Sequence, residues 1–144
     1  MTTRSERMTL LAASDPADLD RHWKEFDRHP SLKWTRRPQV GAIAVRARAS
    51  RTGSLFELGE MTVTRCSVEV DGTTGYAYVA GRNKRHAAIA AVFDALAETD
   101  GDHKHRIDDI LSDLRARLDR CHAAKIAQAR TSAVDFFMQL QEEK

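Results

Sequence analysis

The sequence predicts an α+β fold: helices first, then an antiparallel sheet of four to five strands, then a buried helix and a long C-terminal helix. Three observations carry this. Period-two runs joined by short turns fill residues 32–80, helical stripes flank them, and neither Pro nor Gly occurs from Arg106 to Gln141. Strands grouped in one stretch, not alternating with helices, indicate α+β rather than a parallel βαβ sheet.

Each element has a local cause. Glu6 to Ala13 is a short amphipathic segment with Met8 and Leu11 on one side. Asp15-Pro16 reads as an N-cap followed by Pro at the first helical position. Leu19, Trp23 and Phe26 then recur at i, i+4, i+7, and His29-Pro30 closes the helix. Leu32 to Arg36 alternates weakly, as a short edge strand. In Gln39 to Ala49, Ile43, Val45 and Ala47 point one way and Ala44, Arg46 and Arg48 the other.

Arg51 to Ser54 is a turn, and Leu55 to Leu58 is a short strand that Gly59 is expected to break. Met61 to Val70, rich in Val and Thr, is the strongest strand. Asp71 to Gly75 reads as a longer hairpin connection, and Tyr76 to Ala80 as the returning strand, with both tyrosines on one face. Ala87 to Ala97 is a helix with Ile89, Val92, Phe93 and Leu96 in its stripe and Ala almost everywhere else, hence buried on most sides.

The last segment carries apolar residues at Ile107, Leu111, Leu114, Leu118 and Cys121, then at Ile126, Phe136 and Leu140. The segment reads as one very long helix or as two collinear ones with a break at Thr131-Ser132, and some 35 residues of helix span about 50 Å at 1.5 Å per residue, more than a small domain covers. Leu118, Ile126, Phe136, Phe137 and Leu140 are therefore the candidate interface residues, and a homodimer is expected.

Composition bounds the function classes. The chain of 144 residues is one domain, 1–144. With 23 Lys and Arg against 21 Asp and Glu, the net charge of +2 is too small for a general nucleic-acid or membrane-surface binder. There is no apolar run of membrane-span length and no leader-like stretch at the start, so a cytoplasmic location is expected. Cys66 and Cys121 sit far apart and outside any C-x-x-C pair, and read as two ordinary, at least partly buried thiols. Charge is uneven, however. Residues 28–51 hold seven Lys/Arg and no acid, whereas residues 98–119 hold seven acids against four bases.

The sharpest constellation is Gly81-Arg82-Asn83-Lys84-Arg85-His86, where a strand gives way to a helix. Asn83 is placed to cap that helix, leaving backbone N–H groups and the positive dipole end toward an anion. Arg82, Lys84, Arg85 and His86 add charge-assisted donors, and Gly81 permits an unusual φ. This is the expected anion-binding or docking site. Arg65 is a second candidate, although Glu69 on its own face offers an ordinary ion pair. His103-Lys104-His105 beside Asp100 and Asp102 reads as a capped helix start rather than a metal site, and no metal is expected. No G-x-S-x-G, Walker or H-E-x-x-H motif is present, so the catalytic residues are unassigned.

Three runs carry a family resemblance: Gly59-Glu-Met-Thr-Val-Thr-Arg65, Gly75-Tyr-Ala-Tyr-Val-Ala-Gly-Arg-Asn-Lys-Arg-His-Ala87 and Val134-Asp-Phe-Phe137. Their order and spacing resemble the PhnG family, small subunits of the bacterial carbon–phosphorus lyase system. Asn83 and Glu60 stand where that family often has Asp, and Ala133 and Met138 where it often has Arg and Thr. The Asn83 departure makes the turn more cationic.

The resemblance implies a subunit of an assembly with PhnH, PhnI and PhnJ. That assembly couples ATP to an alkylphosphonate, releases adenine and forms α-D-ribose 1-alkylphosphonate 5-triphosphate. It further implies no cofactor of the chain's own, ATP as substrate of the assembly, and a nucleosidase-type centre on PhnI. Two other readings remain open on residues alone. One is a stand-alone RNA- or nucleotide-binding module using the basic face expected of residues 28–51, although nucleic acid is not the expected partner. The other is a small enzyme with His86 as acid/base.

Overall fold

The computed structural model describes the backbone of residues 3–26 and 29–142, and side chains up to Ser132. Helix α1 spans Arg4–Ala13. Thr3 starts it with a capping box, accepting from Glu6 N while the Glu6 side chain accepts from Thr3 N. Helix α2 spans Pro16–Lys24, with the Asp15 side chain accepting from Ala17 N and Pro16 in the first turn. The chain leaves α2 before the expected stop at His29-Pro30, and Phe26 folds back, buried, beyond the helix.

Three strands follow, not four to five: β1 (Leu32–Arg48), β2 (Leu55–Val70) and β3 (Thr73–Ala80), antiparallel in the order β1-β2-β3. The short strands expected at Leu32–Arg36 and Leu55–Leu58 are the ends of β1 and β2. Bulges absorb both breakers. Register shifts between Trp34 and Gln39 accommodate Pro38 on a strand that is the sheet's edge, where its missing N–H costs no ladder bond. Gly59, at φ 154°, sits beside a third shift opposite Val45–Arg46. The β2–β3 connection is also tighter than expected. Asp71 and Gly72 alone make the turn, at φ 48° and 79°, the positive pair that a two-residue hairpin requires.

Helix α3 (Lys84–Glu98) lies on one face of the sheet, and α1, α2 and the start of α4 pack around it. Its approach to β3 is close. A Cβ on Gly75 would run into the Ala91 carbonyl oxygen and lie 2.5 Å from Ala95 N. The core gathers Val68 and Val70 from the sheet, Phe93 and Leu96 from α3, and Leu11, Leu19 and Ile107 from the other helices. Each such side chain contributes roughly 1.5–3 kcal/mol on burial.

Helix α4 is a single helix, Asp102–Glu142, starting four residues before the expected Arg106. Ile107, Ile110 and Leu114 are buried, Leu111 and Leu118 half-buried, and every residue from Asp119 to Ser132 is exposed. Cys121 is thus exposed, contrary to expectation, because α4 has left the body by then. Among the described residues no helix is long and apolar enough to cross a membrane.

Candidate functional site

The β3–α3 turn forms as its sequence dictates. Gly81 takes φ 89°, its N–H donating to the Thr62 carbonyl at 2.9 Å and its carbonyl accepting from Thr64 Oγ1 at 2.8 Å. Both partners are on β2, so the turn is clamped to the central strand. Asn83 then caps α3, its Oδ1 accepting from His86 N at 2.9 Å. Lys84 and Arg85 open the helix, where the first-turn N–H groups have no carbonyl a turn earlier to bond.

The six residues separate into two roles. Arg82 and Lys84 are exposed and make no ion pair among the described residues. Arg85 is exposed but tied to Asp20 on α2. Hydrogen bonds from Lys24 and Arg85 hold the Asp20 carboxyl below its usual range. His86 is turned inward and buried, and its Nε2 donates to the Leu11 carbonyl at 2.8 Å. It links α3 to α1 instead of facing solvent with its neighbours.

Arg65 does not join them. It sits opposite Gln39 and Tyr78 on the sheet face away from α3, exposed. Glu69, its expected partner, is 3.8 Å from Lys33 instead. The 28–51 cations also fail to make one face. Strand alternation places Arg36 with Ile43, and Arg46 and Arg48 on the other side. Of the interface residues, Leu118 is half-buried against the body and Ile126 is 55% exposed. Phe136, Phe137 and Leu140 lie outside the residues whose side chains are described. His103 stacks on Phe26, and among the described residues no group of three His, Cys, Asp or Glu is arranged to hold a metal.

Two charged centres escaped the sequence reading. Asp94 of α3 is fully buried and accepts from Arg4 (Nη2, 2.7 Å), Arg7 (Nε 3.0 Å, Nη2 2.9 Å) and the Tyr76 backbone N (3.1 Å). The bond to Asp94 raises the Arg4 pKa. The one signal was a lone acid inside an Ala-rich buried helix. Its arginine partners lie 87 and 90 residues away, beyond any periodicity argument. On α4, Asp113 accepts from His22 (2.9 Å), Arg117 (3.0 Å) and Arg21 (3.3 Å). Burial alone would raise its carboxyl, but these bonds outweigh it and hold the pKa at about 2.

A cavity of about 670 Å³ opens beside Arg4, Arg7, Glu98, Lys104, Asp108 and Arg115. Its cations are largely answered within the fold, Arg4 and Arg7 by Asp94 and Glu98 and Lys104 by Asp100. The cavity therefore offers less free positive charge than its lining suggests, and the Gly81–His86 turn remains the better anion-facing surface.

The family described as "Phosphonate metabolism protein PhnG" matches residues 2–140. A relative from Rhizobium meliloti (strain 1021) carries the name "Alpha-D-ribose 1-methylphosphonate 5-triphosphate synthase subunit PhnG". It is 33% identical over 135 residues, covering 93% of this chain and 86% of that protein. With the match running from before α1 into the last turns of α4, the chain belongs to the PhnG family of phosphonate metabolism proteins.

Proposed function

We propose that this chain is a subunit of an α-D-ribose 1-methylphosphonate 5-triphosphate synthase within the carbon–phosphorus lyase system. It supports the step in which ATP and an alkylphosphonate combine and adenine leaves. The observation that carries the reading is the end-to-end likeness to a relative named as that synthase's subunit. In this reading the chain works in the cytoplasm beside PhnH, PhnI and PhnJ, and two copies enter the assembly. ATP is a substrate of the assembly and not a resident group of this chain, which complements an active site completed elsewhere.

The part we assign to the Gly81–His86 turn is contact with a phosphate-bearing substrate or with the subunit that holds it. The clamped Gly81, the first-turn N–H groups of α3 and the uncommitted Arg82 and Lys84 support this. Arg85 and His86 hold the turn in place through Asp20 and Leu11.

The test is reconstitution. The other core subunits are purified with and without this chain, and adenine release from ATP plus methylphosphonate is followed chromatographically. We expect release only with the chain present. Equal release without it would overturn the proposal. Tight, steeply salt-dependent RNA binding by the isolated chain would favour the binding-module alternative instead.

A further inference from the structure

The sheet face away from α3 carries an ordered set of side chains. Thr64, Cys66, Val68 and Val70 of β2 and Ala77 and Val79 of β3 are buried on the α3 side. The residues between them therefore point the other way. Cross-strand pairing sets these in two adjacent rows. Arg36, Ser67 and Tyr76 make one row, and Gln39, Arg65 and Tyr78 the next. Tyr76 is 45% and Tyr78 51% exposed, each next to a buried residue on its strand. Large aromatic side chains on a strand are thus turned to solvent, beside two arginines.

The charge of the two rows has one sign. Neither Arg36 nor Arg65 has an ion pair among the described residues. Four acids lie between Leu32 and Ala80, and all four are elsewhere. Glu57 and Glu60 stand opposite Arg46 and Ala44 and alternate onto the α3 side. Asp71 is in the β2–β3 turn. Glu69, one row further along, is 3.8 Å from Lys33. The patch lacks a counter-charge of its own, which selects an anion as occupant. Its rings select a second property. The Arg4 guanidinium already lies 5.3 Å from the Tyr76 ring centroid, whereas Tyr78 has no ring or cation partner among the described residues. The Tyr78 ring is the one open to a flat π system.

We propose that this face binds a nucleoside triphosphate, its base stacked on Tyr78 and its phosphates drawn to Arg65 and Arg36. The inference rests on the subunit reading above, which makes ATP the nucleotide; the reacting centre stays on another chain. Two rows on three strands measure roughly 7 Å by 10 Å at the usual residue and strand spacings. That suits one nucleotide, whereas proteins that track single strands engage about 4–16 nucleotides per domain. A second copy of this chain laid on the same face would set arginine against arginine. ATP brings a flat base and several negative charges within the reach of one such patch.

The test titrates the full chain with ATP and with inorganic tripolyphosphate, and measures KM for ATP in the reconstituted synthase. We expect ATP to bind the chain at least about fivefold more tightly than tripolyphosphate, since one stacked base supplies at least that factor. Tyr78→Val keeps strand propensity and should erase the difference, whereas Tyr78→Phe keeps the ring and should retain it. In the synthase, Tyr78→Val should raise KM for ATP by a similar factor with kcat and the methylphosphonate KM unchanged. Should Tyr78→Val melt early, Arg36→Gln/Arg65→Gln carries the test from the charged side, with ATP and tripolyphosphate binding weakened alike. Equal wild-type binding of the two probes, or full ATP binding by Tyr78→Val, would overturn the site and leave the subunit reading standing wherever adenine release still needs the chain. ATP binding through Tyr78 by a chain dispensable for adenine release would overturn the subunit reading alone. Two further results would sink the inference by showing a different occupant: loss of assembly in these variants, which makes the face a protein contact, or a ten-nucleotide RNA bound at least tenfold more tightly than ATP.

Discussion

Arg7 of the first helix and Asp94 of the third meet inside the protein, the guanidinium Nη2 2.9 Å from a carboxylate with no solvent exposure. The contact joins α1 to the helix that covers the sheet, and through the Tyr76 N–H it reaches β3 as well. Removing the acid leaves the buried Arg7 with only the half-exposed Glu98, and the Tyr76 N–H without its acceptor, whereas replacing both partners removes the desolvation cost of the ion pair along with its attraction. Asp94→Ala should therefore destabilise the fold by about 3–5 kcal/mol. Arg7→Met/Asp94→Leu should recover much of that loss. Urea titrations of the three proteins check the order, and a double variant less stable than Asp94→Ala would contradict it.

The close packing of β3 on α3 gives a sharper local test. Gly75→Ala would press a methyl into the Ala91 carbonyl and the Ala95 backbone, neither of which is a flexible side chain. The cost should fall at or above the upper end of the roughly 1–3 kcal/mol typical of overpacking. Gly41→Ala is the control, because nothing lies within 4 Å of a Cβ there. Thermal melts should separate the two by several degrees.

The strength of the Asp113 cluster should depend on pH in a fixed direction. The Asp113 pKa is depressed from 3.8 to about 2, so its contribution is complete above the unfolded value and is lost as pH falls toward the folded one. Asp113→Asn should melt below the wild type at pH 7 and at pH 5. The gap should narrow only below about pH 4. A gap that widened on acidification would show that the His22, Arg21 and Arg117 bonds are not what lowers the carboxyl.

How much of this was legible in the sequence follows from the range of the interactions. The Asp15-Pro16 start, the Asn83 cap and the Ile43–Val45–Ala47 face are local, set by neighbours two to four residues apart, and the structure has them as read. Gly59 is the expected stop because chain-local preference disfavours it in strands, and Pro38, between the two expected strands, is disfavoured in the same way. Pairing along the whole of β1 and β2 overrode that preference through bulges. Arg7–Asp94 and His22–Asp113 join residues 87 and 91 positions apart, and nothing in the spacing of either partner announces the other. At the candidate site the Gly81–Asn83 backbone was legible. The inward turn of His86 was not, since it depends on where α1 places the Leu11 carbonyl.

The two cysteines should differ in reactivity. Burial pushes the Cys66 thiol up to about 11, and its Sγ–H donates to the Ala87 carbonyl at 3.0 Å. Cys121 is exposed on α4. A thiol reagent at pH 8 should modify one cysteine in the native protein and both after denaturation, with Cys121 the native site by peptide mapping. Equal native rates would show that α3 does not shield Cys66.

The β3–α3 turn carries the last prediction, because it separates the residues that build the site from those offered to a ligand. Arg82 and Lys84 are exposed and have no ion pair among the described residues, so replacing both with Ala should change stability by less than about 0.5 kcal/mol. Asn83→Ala removes the cap that His86 N donates to, and should cost about 1 kcal/mol with both cations still present. If the turn serves phosphonate conversion through its charges, Arg82→Ala/Lys84→Ala should assemble normally and release adenine at least tenfold more slowly. Asn83→Ala should lose stability first and activity only in proportion. The two variants therefore fail in different ways, one by melting and one by turnover. Full activity in the assembled double-alanine variant would assign the Gly-Arg-Asn-Lys-Arg-His run to backbone architecture alone: a glycine at φ 89° clamped to β2, a capped helix, and a histidine holding α1.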